Sequence, residues 1–103
     1  MGPGLLESVY ETCLVYELGK KGLHVSRQLQ VPIRYDGLEL ADGLRLDLLV
    51  EGQIICELKA ADKPNPVWEA QLLSYLKLTG KSLGFLINFN VPLIKNGIKR
   101  MVL

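Results

Sequence analysis

Two hydrophobic periods alternate along this chain, a helical one in two stretches and a strand-like one in the segments around them. From Leu5 to Lys21 the apolar residues Leu5, Leu6, Val9, Tyr10, Cys13, Leu14 and Leu18 recur at helical spacing. Pro3 and Gly4 open this segment, and Gly22 closes it after Lys20 and Lys21, so the pattern predicts a first helix. From Gln28 to Tyr35 the period drops to two: Leu29, Val31, Ile33 and Tyr35 alternate with Gln28, Gln30, Pro32 and Arg34. That predicts a half-buried strand, and Pro32, which has no N–H to give a ladder, places it at a sheet edge. Asp36-Gly37 makes a turn into a second strand from about Leu38 to Val50, with an interruption expected near Ala41-Asp42-Gly43. Glu51-Gly52 marks a tight hairpin, and Gln53 to Ala60 is the third strand.

A second helix is expected after Asp62-Lys63-Pro64, with Asn65 as N-cap, Pro66 at its first position and a stop at Gly80. Its apolar face would comprise Val67, Trp68, Leu72, Tyr75 and Leu76. Leu83 to Phe89 then reads as a strand buried on both faces, and Gly97 to Leu103 as a last short strand. The order is helix, three-strand meander, helix, strand. It predicts an α/β (α+β) layered fold, a mixed sheet flanked by helices.

Composition narrows the class. With 103 residues the chain is long enough for one domain, 1–103, and too short for two. A net charge of +1 supplies no global field for nucleic acid, so such a partner would need a local patch or a metal. Cys13 and Cys56 lie in apolar patterns and read as reduced core residues. No apolar run approaches the ~20 residues of a membrane span, and the N-terminus lacks a signal-peptide pattern, which makes the cytoplasm the expected compartment.

The chemistry lies around the third strand. In Ile54-Ile55-Cys56-Glu57-Leu58-Lys59, period-two alternation puts Glu57 and Lys59 on one face and Ile54, Cys56 and Leu58 on the other. Asp47 sits among aliphatics on the preceding strand. Charges within a sheet are costly unless paired or holding a cation, and two neighbouring carboxylates repel until a divalent ion relieves them. The plain alternative is a surface ion pair of Glu57 with Lys59. Two helical residues weigh against it: Glu7, at the border of the first helix's apolar stripe, and Gln71, inside that of the second. Glu11 and Lys20 lean toward solvent on the same helical wheel. His24 has no ligand partner at metal spacing. Trp68, Tyr75, Tyr10 and Tyr16 read as core residues, not as base-stacking platforms.

These residues carry a family resemblance. Gly4-Leu5-Leu6-Glu7-Ser8-Val9-Tyr10 resembles the signature of the GxxExxY proteins, a bacterial and archaeal family of the PD-(D/E)XK nuclease superfamily. The similarity continues through Arg45–Val50, Glu57–Ala60, Glu69–Leu76, Leu86–Phe89 and Gly97–Arg100. Family members usually carry a helical stretch before the signature, whereas this chain starts at it. The resemblance implies a restriction-endonuclease-like core and a divalent-metal-dependent phosphodiesterase. Asp47 and Glu57 would be ligands for Mg²⁺ or Mn²⁺ with the carbonyl of residue 58, and Glu7 would bind a second metal or position water. Lys59 would be the active-site lysine and Gln71 the polar residue of the second helix. DNA or RNA would be the partner, with Lys63, Lys77, Arg45 and Arg100 as candidate phosphate contacts. So small a domain covers little duplex, which points to a homodimer. A binding module without turnover on the same fold is the alternative.

Overall fold

A computed structural model describes residues 3–90 and 94–103. Eight elements follow in order: α1 (Pro3–Lys20), β1 (Val25–Tyr35), β2 (Leu38–Val50), β3 (Ile54–Lys59), α2 (Pro66–Thr79), β4 (Leu83–Asn88), a 3₁₀ turn (Ile94–Gly97) and β5 (Ile98–Val102). The five strands form one sheet in the order β1-β2-β3-β4-β5. Every neighbouring pair is antiparallel except β3 and β4, which the α2 crossover leaves parallel. The expected meander, crossover helix and closing strands are all present. Pro32 lies on edge strand β1, where its missing N–H breaks no ladder.

The α2 ends follow from the sequence. Asn65 Oδ1 accepts from the Val67 N–H at 3.0 Å with Pro66 in the first turn, and Gly80 closes the helix at φ 70°, a left-handed conformation glycine adopts without a Cβ penalty. Strand β2 runs unbroken through Ala41-Asp42-Gly43, and the expected interruption appears instead as a register shift opposite it, between Val31 and Ile33. A Cβ on Gly43 would collide with the Val31 carbonyl there, so the shift needs glycine.

Each helix covers one face. Leu48, Val50, Cys56, Leu58 and Ile87 pack with Leu14, Val15 and Leu18 of α1, while Leu46, Leu49, Ile55 and Leu86 pack with Leu72 and Leu76 of α2. Gly84 lets α2 approach β4: a Cβ there would lie 3.1 Å from Leu72 Cδ1 and 3.1 Å from the Ile55 carbonyl oxygen. Gly84→Val is therefore expected to lower stability by about 1–3 kcal/mol, read as a shift of the urea midpoint. No helix among the described residues is long and apolar enough to cross a membrane.

Several expected core positions face outward. Cys13 is exposed, as are Tyr16, Val9 and Val67, because α1 and α2 each bury a narrower stripe than helical spacing suggests. The side chains of Leu5, Leu6 and Tyr35 lie outside the described residues.

Candidate active site

The β2–β3 ladder pairs Val50 with Ile54, Leu49 with Ile55 and Leu48 with Cys56, then stops. One residue further on, side chains take over the main-chain bonds. The Asp47 N–H donates to Glu57 Oε2 at 2.9 Å, and the Leu58 N–H donates to Asp47 Oδ2 at 2.8 Å. Two acids thus occupy the gap where the strands part, each satisfying an N–H of the other strand. This reciprocal pairing holds Asp47 and Glu57 side by side with no need for a basic partner at that point.

The change of direction at Asp47 has a local origin. Leu48 and Val50 pack in the α1 layer, but Leu46, which shares their alternation, packs in the α2 layer. On β1 the position between the Arg27–Leu48 and Leu29–Leu46 pairs is Gln28, whose φ of 46° is left-handed and uncommon for a residue with a side chain. The Gln28 Nε2 donates to Glu11 Oε1 at 2.6 Å, and Arg27 Nη2 donates to Glu11 Oε2 at 3.1 Å and to Thr12 Oγ1 at 3.0 Å. Glu11, expected to lean toward solvent, is instead only 7% exposed and ties α1 to the twisted part of β1. The signal was available: Glu11 follows Glu7 by four residues, the spacing that puts two side chains on one helix face.

Glu7 and Glu11 reach a cleft of about 200 Å³ that they share with Ser8, Gln28, Asp47 and Leu58. Glu7, the acid expected on the first helix, lines the same cleft as Asp47. Tyr10, one turn along, stacks on Phe89 with ring centroids 4.4 Å apart and 7° between planes, which clamps α1 over the end of β4.

Glu57 is 6% exposed. Burial, and then the charge of Asp47, push its pKa up to about 7; the Asp47 N–H and the Lys59 ammonium pull the other way without cancelling them. Burial and the Glu57 charge likewise push the Cys56 thiol up to about 11, so this cysteine stays a protonated core residue. Lys59 lies two residues beyond Glu57 on the same face, with Nζ 5.7 Å from the centre of the Trp68 ring. Gln71, expected inside the apolar face of α2, is exposed there. Its side chain bears on the site only at one remove, through the Tyr75 hydroxyl. Burial and the charges of Glu57 and Asp47 raise the Tyr75 hydroxyl, and the Gln71 bond partly opposes them.

The donor set fits a divalent cation in kind, since hard carboxylate oxygens suit Mg²⁺ or Mn²⁺ and such an ion would relieve both the repulsion between Asp47 and Glu57 and the cost of burying an ionised Glu57. In number it falls short of a full cage. No three His, Cys, Asp or Glu side chains among the described residues are grouped to hold one ion. The site also has two sides: Asp47 opens into the α1 cleft, whereas Lys59 lies over Trp68 of α2, and Glu57 links them.

A layered α/β fold with two acids at the parting of a hairpin, and a lysine two residues past the second acid, defines a nuclease-type scaffold. The chain belongs to the PD-(D/E)XK nuclease superfamily, whose family model matches residues 1–101. No curated protein matches it. Among solved structures the fold is similar to that of the protein SSO0001, with a TM-score of 0.68, 22% identity, and coverage of 96% of this chain and 51% of that one. It is also similar to the alkaline exonuclease LHK-Exo from Laribacter hongkongensis, with a TM-score of 0.65, 15% identity, and coverage of 99% and 59% respectively. The chain thus spans little more than half the length of either.

Proposed function

We propose that this protein is a divalent-metal-dependent nuclease that hydrolyses phosphodiester bonds in DNA or RNA. The observation that carries the reading is the reciprocal backbone bonding that keeps Asp47 and Glu57 adjacent at the β2–β3 gap, with Lys59 on the face of Glu57. Asp47 and Glu57 would hold the ion, with water and main chain completing its shell. When bound, it supplies Lewis-acid polarisation of a phosphoryl oxygen and a more acidic water. Lys59, on a flexible four-carbon stem, would leave the Trp68 ring to meet negative charge developing on the phosphate. Glu7 would orient water from the α1 side, and Gln71 would hold Tyr75 at the rim.

The test is cleavage of end-labelled single- and double-stranded DNA and RNA with Mg²⁺ or Mn²⁺, alongside Asp47→Ala and Glu57→Ala. The expected result is metal-dependent cleavage lost in both variants. Cleavage that persists in both would remove the acids from the mechanism. The absence of a three-ligand group among the described residues favours a second reading, a nucleic-acid-binding module without turnover. Tight binding with no cleavage under any metal would establish that one.

A further inference from the structure

A second cleft lies on the α2 face, separate from the α1 cleft that receives Asp47. It encloses about 290 Å³, near the lower end of small-molecule sites, which suits one ring system and not a length of chain. Trp68, Leu86 and Ile98 give it apolar walls, while Asn96 and the Glu69–Lys99 pair, 2.6 Å apart, give it a polar rim. Its position relative to the acids follows from strand register. In the parallel β3–β4 pair Glu57 lies beside Leu86 and Lys59 beside Asn88, and both β4 residues line the cleft. The indole that receives the Lys59 ammonium also lines it.

Polar groups here differ in what they can offer. The Asn88 amide is spent on the main chain after β3 and β4: Nδ2 donates to the Ala61 carbonyl at 3.0 Å, and Oδ1 accepts from the Ala61 and Asn90 N–H groups at 3.2 and 3.1 Å. Asn96 is exposed at the rim, where a carboxamide offers both a donor and an acceptor to a ligand edge. A half-buried aromatic wall, an exposed amide and a place one strand over from the lysine suit a flat heterocycle with hydrogen-bonding edges. We infer that this cleft is a nucleobase subsite, in which a base next to the scissile phosphate packs against Trp68 and meets Asn96. The inference rests on the nuclease reading for its substrate, but its readout does not depend on cleavage. Trp68 packs against the core as expected, and the subsite would give its ring a second use.

Trp68 is the single tryptophan of the chain, so its fluorescence reports on this cleft and on the Lys59 ammonium beside it. The experiment titrates Asp47→Asn protein, in Mg²⁺, with short oligothymidylate and oligouridylate, and with a strand of equal length made of abasic units. Base-bearing strands are expected to quench Trp68 well beyond the smaller change produced by the abasic strand, whose phosphates act only on the Lys59 ammonium over the ring. Anisotropy of labelled strands supplies the second arm: Trp68→Ala should weaken binding of base-bearing strands about tenfold, as loss of one stacked base does, and leave abasic binding unaltered. Quenching by only one of the two base-bearing strands would support the subsite and assign it to DNA or RNA. Equal quenching by the abasic strand, or an equal loss of affinity for both kinds of strand, would overturn it. If the wild-type protein cleaves the base-bearing strands while neither arm shows a base effect, the subsite falls and the nuclease stands. A base effect with no cleavage would support the subsite and refute the nuclease.

Discussion

Lys59→Ala is expected to reduce phosphodiester cleavage by about 10²–10³-fold or more while leaving divalent-metal affinity nearly intact. Removing a group that meets charge developing in the transition state lowers kcat, whereas ligand groups act on binding of the ion. Lys59 now shares its face with Glu57 and sits over Trp68, so its loss removes an ammonium and no carboxylate oxygen. Parallel measurements on Lys59→Ala, single-turnover cleavage at saturating Mn²⁺ and Mn²⁺ titration by calorimetry, separate the two effects. Unchanged cleavage in Lys59→Ala would show that the role assigned to this lysine is wrong. A large loss of Mn²⁺ affinity would show that it acts through the acids instead.

Glu57→Gln should have opposite effects on stability and on activity. The folded protein raises Glu57 from an ordinary value of 4.5 to about 7, so the native state binds the proton more tightly than the unfolded chain does. Stability from this group is therefore fully present below about pH 4.5, falls as pH rises through the folded value near 7, and is absent above it. The shift corresponds to roughly 3 kcal/mol at its largest. In EDTA, urea unfolding of the native chain should accordingly show lower stability at pH 8 than at pH 5. Glu57→Gln, neutral throughout and of equal shape, should gain about 1–3 kcal/mol at pH 8 and little at pH 5. Mg²⁺ or Mn²⁺ should stabilise the native chain at pH 8, where the acids are ionised, and leave the glutamine variant unmoved. Cleavage by the variant should be lost. Equal stability of the two proteins at pH 8 would mean that Glu57 is not held under this electrostatic load.

The fold was legible because its signals are local. The caps of α2 at Asn65 and Gly80, the turns at Asp36-Gly37 and Glu51-Gly52, and the two periods of the apolar pattern all act within a few residues. Asp47, Glu57 and Lys59 were legible as exceptions, charges placed where a strand pattern calls for aliphatics. Harder to read were Glu11 and Gln71. The wheel put Glu11 toward solvent and Gln71 inside the apolar face, but their burial depends on where the sheet lies, which the wheel does not contain. Glu11 turned inward because Arg27 and Gln28 of a strand sixteen and seventeen residues away bond to it. Gln71 turned outward because α2 packs through Leu72 and Leu76.

By itself, then, the sequence determined the order of elements and the ends of α2, though β1 starts at Val25 and not at Gln28 as expected. It also marked the acids and the lysine as exceptions to the strand pattern, since each signal acts through propensity, capping and alternation over short spans. Only the tertiary structure decided how those groups meet. The parting of β2 from β3, the left-handed Gln28 opposite it, and the division of the neighbourhood into an α1 cleft and an α2 cleft all depend on long-range register and twist. Such properties are set by every strand and both helices packing at once, and no short window of residues encodes them.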